Sequence, residues 1–411
     1  MPRTRVVRAD LVIVAGLVAA TQMSWGVVIP VMPVLAETLD ASVTDLGLLI
    51  ALFGLGRLFA NLPAGRLAER VNQKWLLLAS VAAVVAFMAL SGFVTDLSQL
   101  FVLRVLTGIG GGFAVTVGNA FITSTTAPDR RGRALGTLHA FQLAGGALGP
   151  SVGGFVSAWA GPTAAFLVSG AAAAVFAVAG VFWLKSPERS VEVAAAPTTA
   201  ATGRQWLLRD RSMLAICVVG FAVFFARFGG QQFLVPVLAY DQAGMTEAQL
   251  GLVLGVIAGL NIGLIGLAGW FTDRYGRKAV IIPAMLISSL AFLGYSFATT
   301  LGTFIVVSAV VGLFTSVAAP AQVAYLADIA PVGRQGSAVG IYRTFGDLAA
   351  LVGPVVLGVL VEHHGGWTGV VTVSACGTLA AVWFWIKARR TRPAAAPAPE
   401  PAEQAAAATA A

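Results

Sequence analysis

GWFTDRYGRK, residues 269–278, sets one acid and three bases within six positions of a chain in which only 11% of the 411 residues are charged. Apolar stretches lie on both sides, and a related copy, GRLAERVNQK, stands at residues 65–74. With 58% hydrophobic residues and a mean hydropathy of +0.86, the chain is too apolar for soluble domains, which run at about 45–50% apolar and about 25% charged. Lipid must be its solvent. Working outward from the cluster, twelve runs are long enough to cross a hydrocarbon layer of about 30 Å, which takes roughly 20 helical residues. They lie near 11–35, 45–67, 75–95, 98–122, 134–158, 162–184, 212–239, 247–270, 279–299, 301–327, 336–361 and 367–387. In lipid each backbone donor needs a partner within its own segment, and no ten-residue alternation of a barrel is present, so the spans are expected to be helices.

Orientation follows from the bases. With the N-terminus in the cytoplasm, the inner segments hold twenty-two of the 26 Lys and Arg residues, and the other four, Arg57, Arg104, Arg227 and Arg343, fall inside spans. Basic loops stay inside, so both termini are expected to be cytoplasmic. The net charge of +8 is a topology signal and implies no nucleic-acid partner. The basic MPRTRVVR and the run after it are read as a retained first span, since the run is too long for the apolar core of a secretory signal. Cys217 and Cys376 lie inside spans and imply neither a disulfide framework nor a metal site.

The two clusters belong to a longer repeat. An unbroken offset of 204 residues pairs Leu46-Gly47-Leu48 with Leu250-Gly251-Leu252, Gly65 with Gly269, Arg70 with Arg274, Lys74 with Lys278, Gly149-Pro150 with Gly353-Pro354, and Gly154 with Gly358. The expected organisation is an all-α membrane protein: a six-helix bundle over 1–184, a cytoplasmic linker over 185–211, a second bundle in the same orientation over 212–390, and a cytoplasmic tail over 391–411 that has no apolar period, cannot bury a core and is expected to be disordered.

Twelve spans in two parallel six-helix repeats, with G-x-x-x-D-R-x-G-R-K after the second span of a half, resemble the major facilitator superfamily. The copy at 269–278 fits that loop motif fully, whereas the copy at 65–74 carries Glu69, Asn72 and Gln73 at three of its positions. LFVLRVLTGIGGG, 100–112, is similar to the family's fourth-span pattern with its intramembrane arginine, here Arg104. Gly136, Gly145, Gly149, Pro150, Gly153 and Gly154 match a fifth-span pattern similar to the one that marks proton-driven drug exporters. The resemblance implies a monomeric bacterial cell-membrane carrier of small molecules that meets only substrate, protons and lipid, needs no cofactor and catalyses no reaction.

The residues themselves suggest roles. Gly145, Gly149 and Gly153 make a bare stripe where another backbone can approach, and Pro150 lets the helix bend, which suits an element rocking against the opposite bundle. In the loops, Gly65, Glu69, Arg70 and Lys74, and Gly269, Asp273, Arg274, Gly276, Arg277 and Lys278, are candidate gating residues. Asp273 is placed to accept backbone amides, the bases to reach helix-end carbonyls or lipid phosphates, and Gly276 or Asn72 to supply a positive-φ turn. A charge at a helix centre costs about 3 kcal/mol, so the intramembrane charges need partners. Asp347, the only acid deep in a span, lies one turn from Arg343 and is expected to pair with it. Asp347, Arg343 and Arg104 are the candidate proton-coupling group, with His139 in a lesser role. Arg57, Arg227, Phe225 and Phe228 are candidates to line a substrate cavity. The expected function is proton-coupled efflux of small amphipathic molecules. An uptake or exchange carrier for a polar or anionic metabolite, and a non-transporting receptor or scaffold of the same fold, are the alternatives.

Overall fold

The computed structural model describes residues 3–127, 130–186, 210–330 and 335–389, and among them the chain is helical with no strand. Most of the expected linker and the tail from 391 onward lie outside the described residues. The elements are α1 (Arg3–Thr38), α2 (Val43–Arg70), α3 (Gln73–Ser91) and α4 (Leu97–Thr125), followed by a helical run Arg131–Trp183 that breaks at Gly161. We call its parts α5 (131–160) and α6 (162–183). Next come α7 (Arg211–Phe224), a π-helical segment (Phe225–Leu234), α8 (Val235–Ala243), α9 (Glu247–Gly263) and α10 (Ile265–Tyr275). The chain ends in α11 (Arg277–Phe292), a 3-10 turn (Leu293–Phe297), α12 (Leu301–Ile329), α13 (Gln335–His364) and α14 (Gly366–Lys387). Ten helical runs are apolar and long enough to cross a membrane, one of them being the α5–α6 run. Counting α5 and α6 separately and α9–α10 as one gives twelve crossings among the described residues, and the chain is a multi-pass membrane protein.

The 204-residue repeat also sets where the helices begin and turn. Ser42 and Asp45 form a capping box at the start of α2, and Thr246 and Gln249, at the equivalent positions, form one at the start of α9. Asp96 caps α4 and its equivalent Thr300 caps α12. Each satisfies amide groups that a helix start leaves without partners. The Asp96 carboxylate, accepting from the Ser98 hydroxyl and amide, is held below the usual carboxylate range. The hairpins α5–α6 and α13–α14 turn on Gly161 and Gly365, both at φ 83°, a conformation that only glycine adopts readily.

Helices α1–α6 pack together, α7–α14 pack together, and the two halves meet along two seams, α2 on α13 and α5 on α9. Repeated residues build both seams. A Cβ on Gly47 would run into the Pro354 carbonyl oxygen, and one on its equivalent Gly251 would stand 3.0 Å from the Pro150 carbonyl oxygen. Likewise Gly154 abuts the Glu247 carbonyl, and Gly358 abuts Val43 and Thr44. Only glycine allows backbones this close. Three hydrogen bonds that join the halves lie at this same end, opposite the basic loops. The Thr44 amide donates to Glu362 Oε2 at 3.0 Å, Ser151 Oγ to the Gly251 carbonyl at 3.1 Å, and Tyr240 OH to Glu37 Oε1 at 2.6 Å. Toward the basic end the halves part. A Cβ on Gly54, Gly136, Gly146, Gly259 or Gly340 would meet nothing within 4 Å, and His139 on α5 and Arg343 and Asp347 on α13 are exposed.

The fifth-span glycines divide between two neighbours, which corrects the expectation of one stripe facing the opposite bundle. Gly145, Gly149 and Gly153 pack on α1 within their own half, at Ala19, at Met23 and Gly26, and at Val27, while Gly154, with Ser151, faces α9 of the other half. Gly149→Leu should therefore act on folding. Its side chain would push into the Met23 carbonyl, 2.6 Å from the Gly149 Cβ position, and the Gly26 Cα at 2.8 Å, an overpacking that costs about 1–3 kcal/mol or more against backbone. We expect a lower melting temperature in detergent, read by tryptophan fluorescence, and reduced membrane levels. Unchanged melting would mean that α1 and α5 stand further apart.

Candidate functional site

Between α5, the π-helical segment, α9 and α12 lies a cavity of about 350 Å³. Pro150, His139, Arg227, Gln231, Gln232, Asn261, Thr315 and Ser316 supply its wall together with aliphatic side chains, among them Ile29, Leu143, Val223, Leu254 and Ile257. The π-helical segment carries Arg227 and both glutamines on adjacent turns. Widening the helix to i→i+5 bonding shifts side-chain directions locally, and such segments occur mostly at functional sites. Asn261 donates through Nδ2 to the Ile257 carbonyl at 2.7 Å, while Gln232 Oε1 is buried with no partner.

Arg227 and His139 line this cavity, while Arg343 and Asp347 lie outside its lining and do not form the expected ion pair. Arg343 and Asp347, although one turn apart, make no ion pair among the described residues. Both are exposed, so water in the opening between the halves screens each and removes the need for contact. The cationic neighbours of Asp347 are Arg57, across the gap on α2, and Arg343 on its own helix. Arg57 in turn is felt by Arg227, and Arg343 and Arg227 are both felt by His139. Three arginines and one carboxylate thus share one field.

Arg104 stands apart from this group. Its side chain is 0% exposed, and its guanidinium lies 5.3 Å from the Phe53 ring and 5.6 Å from the Trp25 ring. None of its three nitrogens has a hydrogen-bond partner, so aromatic π faces are its compensation. The grouping of Arg104 with Asp347 and Arg343 is therefore not found. Trp25 also meets Phe228 of the second half at 5.9 Å, and Phe225 is 5% exposed and packs on Gly353. Of the four residues expected to line a cavity, Arg227 does. Phe225 belongs to the core, Phe228 to an aromatic contact between the halves, and Arg57 to the field around Asp347.

A family model of the Major Facilitator Superfamily matches residues 14–270 and again 225–411. The chain belongs to the major facilitator superfamily. As a superfamily member it is a membrane transporter and not an enzyme. Multidrug resistance protein 1 of Bacillus subtilis (strain 168) is 27% identical over 345 residues, 82% of this chain and 86% of that protein. Multidrug resistance protein MdtG of Enterobacter lignolyticus (strain SCF1) is 26% identical over 394 residues, 92% of each chain. In fold, the chain resembles a bacterial homolog of the human lysosomal transporter Spinster, in an inward-facing and occupied conformation. The TM-score is 0.79 at 15% identity, with 94% of this chain and 98% of that one covered. The nucleoside transporter NupG gives a TM-score of 0.76 at 14% identity, over 93% of this chain and 100% of that one.

In this superfamily member the two loop clusters bind their own halves, and they do so by matched contacts. Lys278 Nζ donates to the Trp385 and Ala388 carbonyls, each at 2.7 Å, and Lys74 Nζ donates to the Val181 carbonyl, the repeat equivalent of Trp385, at 2.9 Å. Arg277 stands 3.1 Å from Asp328, an ion pair rather than an aligned hydrogen bond, and donates through Nη1 to the Thr272 carbonyl at 3.3 Å. In the first half, Gln73 takes the place of Arg277 and Ser124 that of Asp328. Ser124 Oγ donates to Gln73 Oε1 at 2.9 Å, and Gln73 Nε2 donates to the Ala68 carbonyl at 3.1 Å. The copy at 65–74 is thus a neutral version of the same joint.

Other loop expectations need correction. Gly276 turns at φ 86°, but Asn72, at φ −65°, is an N-cap accepting the Lys74 amide. Arg274 stacks over Trp270 at 5.4 Å and Tyr275 at 6.0 Å rather than reaching helix-end carbonyls. The Asp273 side chain lies outside the described ones. Gly65 and Gly269 face open space, and Glu69 and Arg70 are exposed at the end of α2.

The matched joints yield an expected result. Arg277→Gln should leave Asp328 short of positive charge and lower the melting temperature. Adding Asp328→Ser recreates the neutral joint and should restore most of the loss, a coupling of roughly 0.5–3 kcal/mol. Additive losses in the double mutant would show that the pair acts separately.

Sequence reasoning missed Gln231, Gln232, Asn261 and Asp328. The glutamine pair was visible as two carboxamides in the middle of a span, where polar groups are costly. Asp328 was visible as the repeat equivalent of Ser124. Among the described residues no group of three or more His, Cys, Asp or Glu stands together to hold a metal ion.

Proposed function

We propose that the chain is a proton-coupled exporter of small amphipathic molecules that works by alternating access, residues 1–184 rocking against residues 212–390. The observation that carries this reading is the chamber between the halves, open toward the basic loops and closed at the other end by the paired seams at Gly47–Pro354 and Gly251–Pro150. Basic loops lie in the cytoplasm, so both termini are cytoplasmic and the chamber takes substrate from inside. Transport then requires the seams to part and the basic end to close, the rigid-body exchange that repeat-built carriers use. Asp347 supplies the titratable group, facing Arg57 and Arg343. The names of the multidrug resistance proteins in Bacillus subtilis and Enterobacter lignolyticus support export of foreign compounds. The protein needs only lipid, proton and substrate, and acts as a monomer.

The test is a panel of labelled solutes in inside-out vesicles, with and without a proton uncoupler. Uptake that collapses on uncoupling supports the reading. Uptake indifferent to the uncoupler removes proton coupling, and absence of uptake for every solute in the panel favours a receptor or scaffold.

A further inference from the structure

The chamber's chemistry is specific about charge. Its wall offers one guanidinium, Arg227, one imidazole, His139, and the carboxamides of Gln231, Gln232 and Asn261, and no carboxylate is among its described lining residues. The field around it adds Arg57 and Arg343 against the single carboxylate Asp347. A cation entering from the basic end would meet this excess of positive charge and be repelled by it. An anion would meet a guanidinium able to bind it bidentately. The rest of the wall is aliphatic, with Leu143, Val223, Leu254, Ile257, Ile262 and Val323, which suits an apolar body and not a small inorganic ion. The volume of about 350 Å³ lies at the lower end of the roughly 300–1,000 Å³ of small-molecule pockets.

We propose that the substrate class is an amphipathic organic monoanion, held by Arg227 in the α5–π–α9–α12 chamber. This deepens the exporter reading and rests on it for the direction of movement, but binding selectivity can be tested by itself.

Three matched probes decide it: dansylglycine, an anion with a sulfonamide N–H, its neutral amide dansylglycinamide, and the cation dansylcadaverine. Binding is followed by dansyl fluorescence on purified protein in nanodiscs, and transport by uptake into proteoliposomes under a pH gradient. Dansylglycine should bind about tenfold or more tighter than dansylcadaverine, as expected for one charge-assisted contact. Arg227→Gln should reduce dansylglycine affinity by about tenfold and leave dansylglycinamide within about twofold, while Arg227→Lys should recover most of the loss. Melting temperatures of both variants confirm that they fold. Preference for dansylcadaverine, equal losses for the acid and the amide in Arg227→Gln, or no saturable binding of any probe overturns the proposal. Selective binding of dansylglycine with no uptake of any probe leaves the ligand class standing and overturns the transport reading. Uptake of dansylcadaverine at or above that of dansylglycine does the reverse.

Discussion

Asp347→Asn should abolish uphill export under a pH gradient while leaving downhill exchange of substrate in place. Asp347 is the carboxylate that α13 carries in the opening between the halves, exposed there and facing Arg57 across the gap. Its environment has to differ between the two states of the cycle. In the state described, water reaches it from the basic end. When that end closes, α2 and α13 approach, water leaves, and the carboxylate must either contact Arg57 or carry a proton, because a lone buried charge is costly. Substrate and proton can then compete for the same cationic surroundings, which is a means of coupling them. Asparagine keeps the shape and removes both the charge and the titration. Proteoliposomes loaded with substrate should show counterflow at near wild-type rates and no accumulation driven by pH. Protein level has to be matched, since three arginines would be left without their carboxylate. Uphill export at wild-type rates in Asp347→Asn would place coupling elsewhere, with His139 in the chamber wall the next residue to examine.

The spans and the repeat were legible because lipid leaves few alternatives. A run of about 20 apolar residues in a chain with this composition has one stable form, and the caps at Ser42, Thr246, Asp96 and Thr300 bound it within a few residues. The neighbours of each span were not legible. The spacing of Gly145, Gly149 and Gly153 says that a backbone comes close, and it does, but nothing in that spacing distinguishes α1 from α9. Gly154, one residue on, points to the other half. The Arg343–Asp347 pair failed for a different reason. Spacing of four residues brings side chains within reach on a helix, yet whether they join depends on the water around them, which depends on which end of the chamber is open. At the first loop cluster Gln73 by itself is a plain departure from the motif. Read with Ser124, it is a compensated exchange, two neutral groups for two charged ones in the same geometry. The widened segment from Phe225 to Leu234 left no clear mark, since π-helical bonding depends on packing that composition does not record.

Gly154→Leu should stop transport by holding the seam end apart, while each half stays folded. A Cβ at Gly154 would collide with the Glu247 carbonyl and approach the Gly251 Cα to 3.0 Å. Both are backbone atoms at the capped start of α9, so no side chain can swing aside to make room. The clash exists only while α5 and α9 touch. Within the first half the same helix rests on α1 through Gly145, Gly149 and Gly153, and that contact is untouched. Overpacking of about 1–3 kcal/mol then acts on one conformational state, and a difference of 1.4 kcal/mol shifts a two-state balance about tenfold. The protein should move toward a form open at the seam end and closed at the basic end. A cysteine placed at Thr44, whose amide now binds Glu362, should react faster with a membrane-impermeant maleimide, and one placed at Thr344 should react more slowly. Substrate counterflow should fall to background because the carrier no longer returns. Gly149→Leu provides the contrast, since it should lower melting temperature without favouring either open state. If Gly154→Leu leaves both labelling rates and transport unchanged, the α5–α9 contact is not the closing seam, and the rocking reading loses the geometry on which it depends.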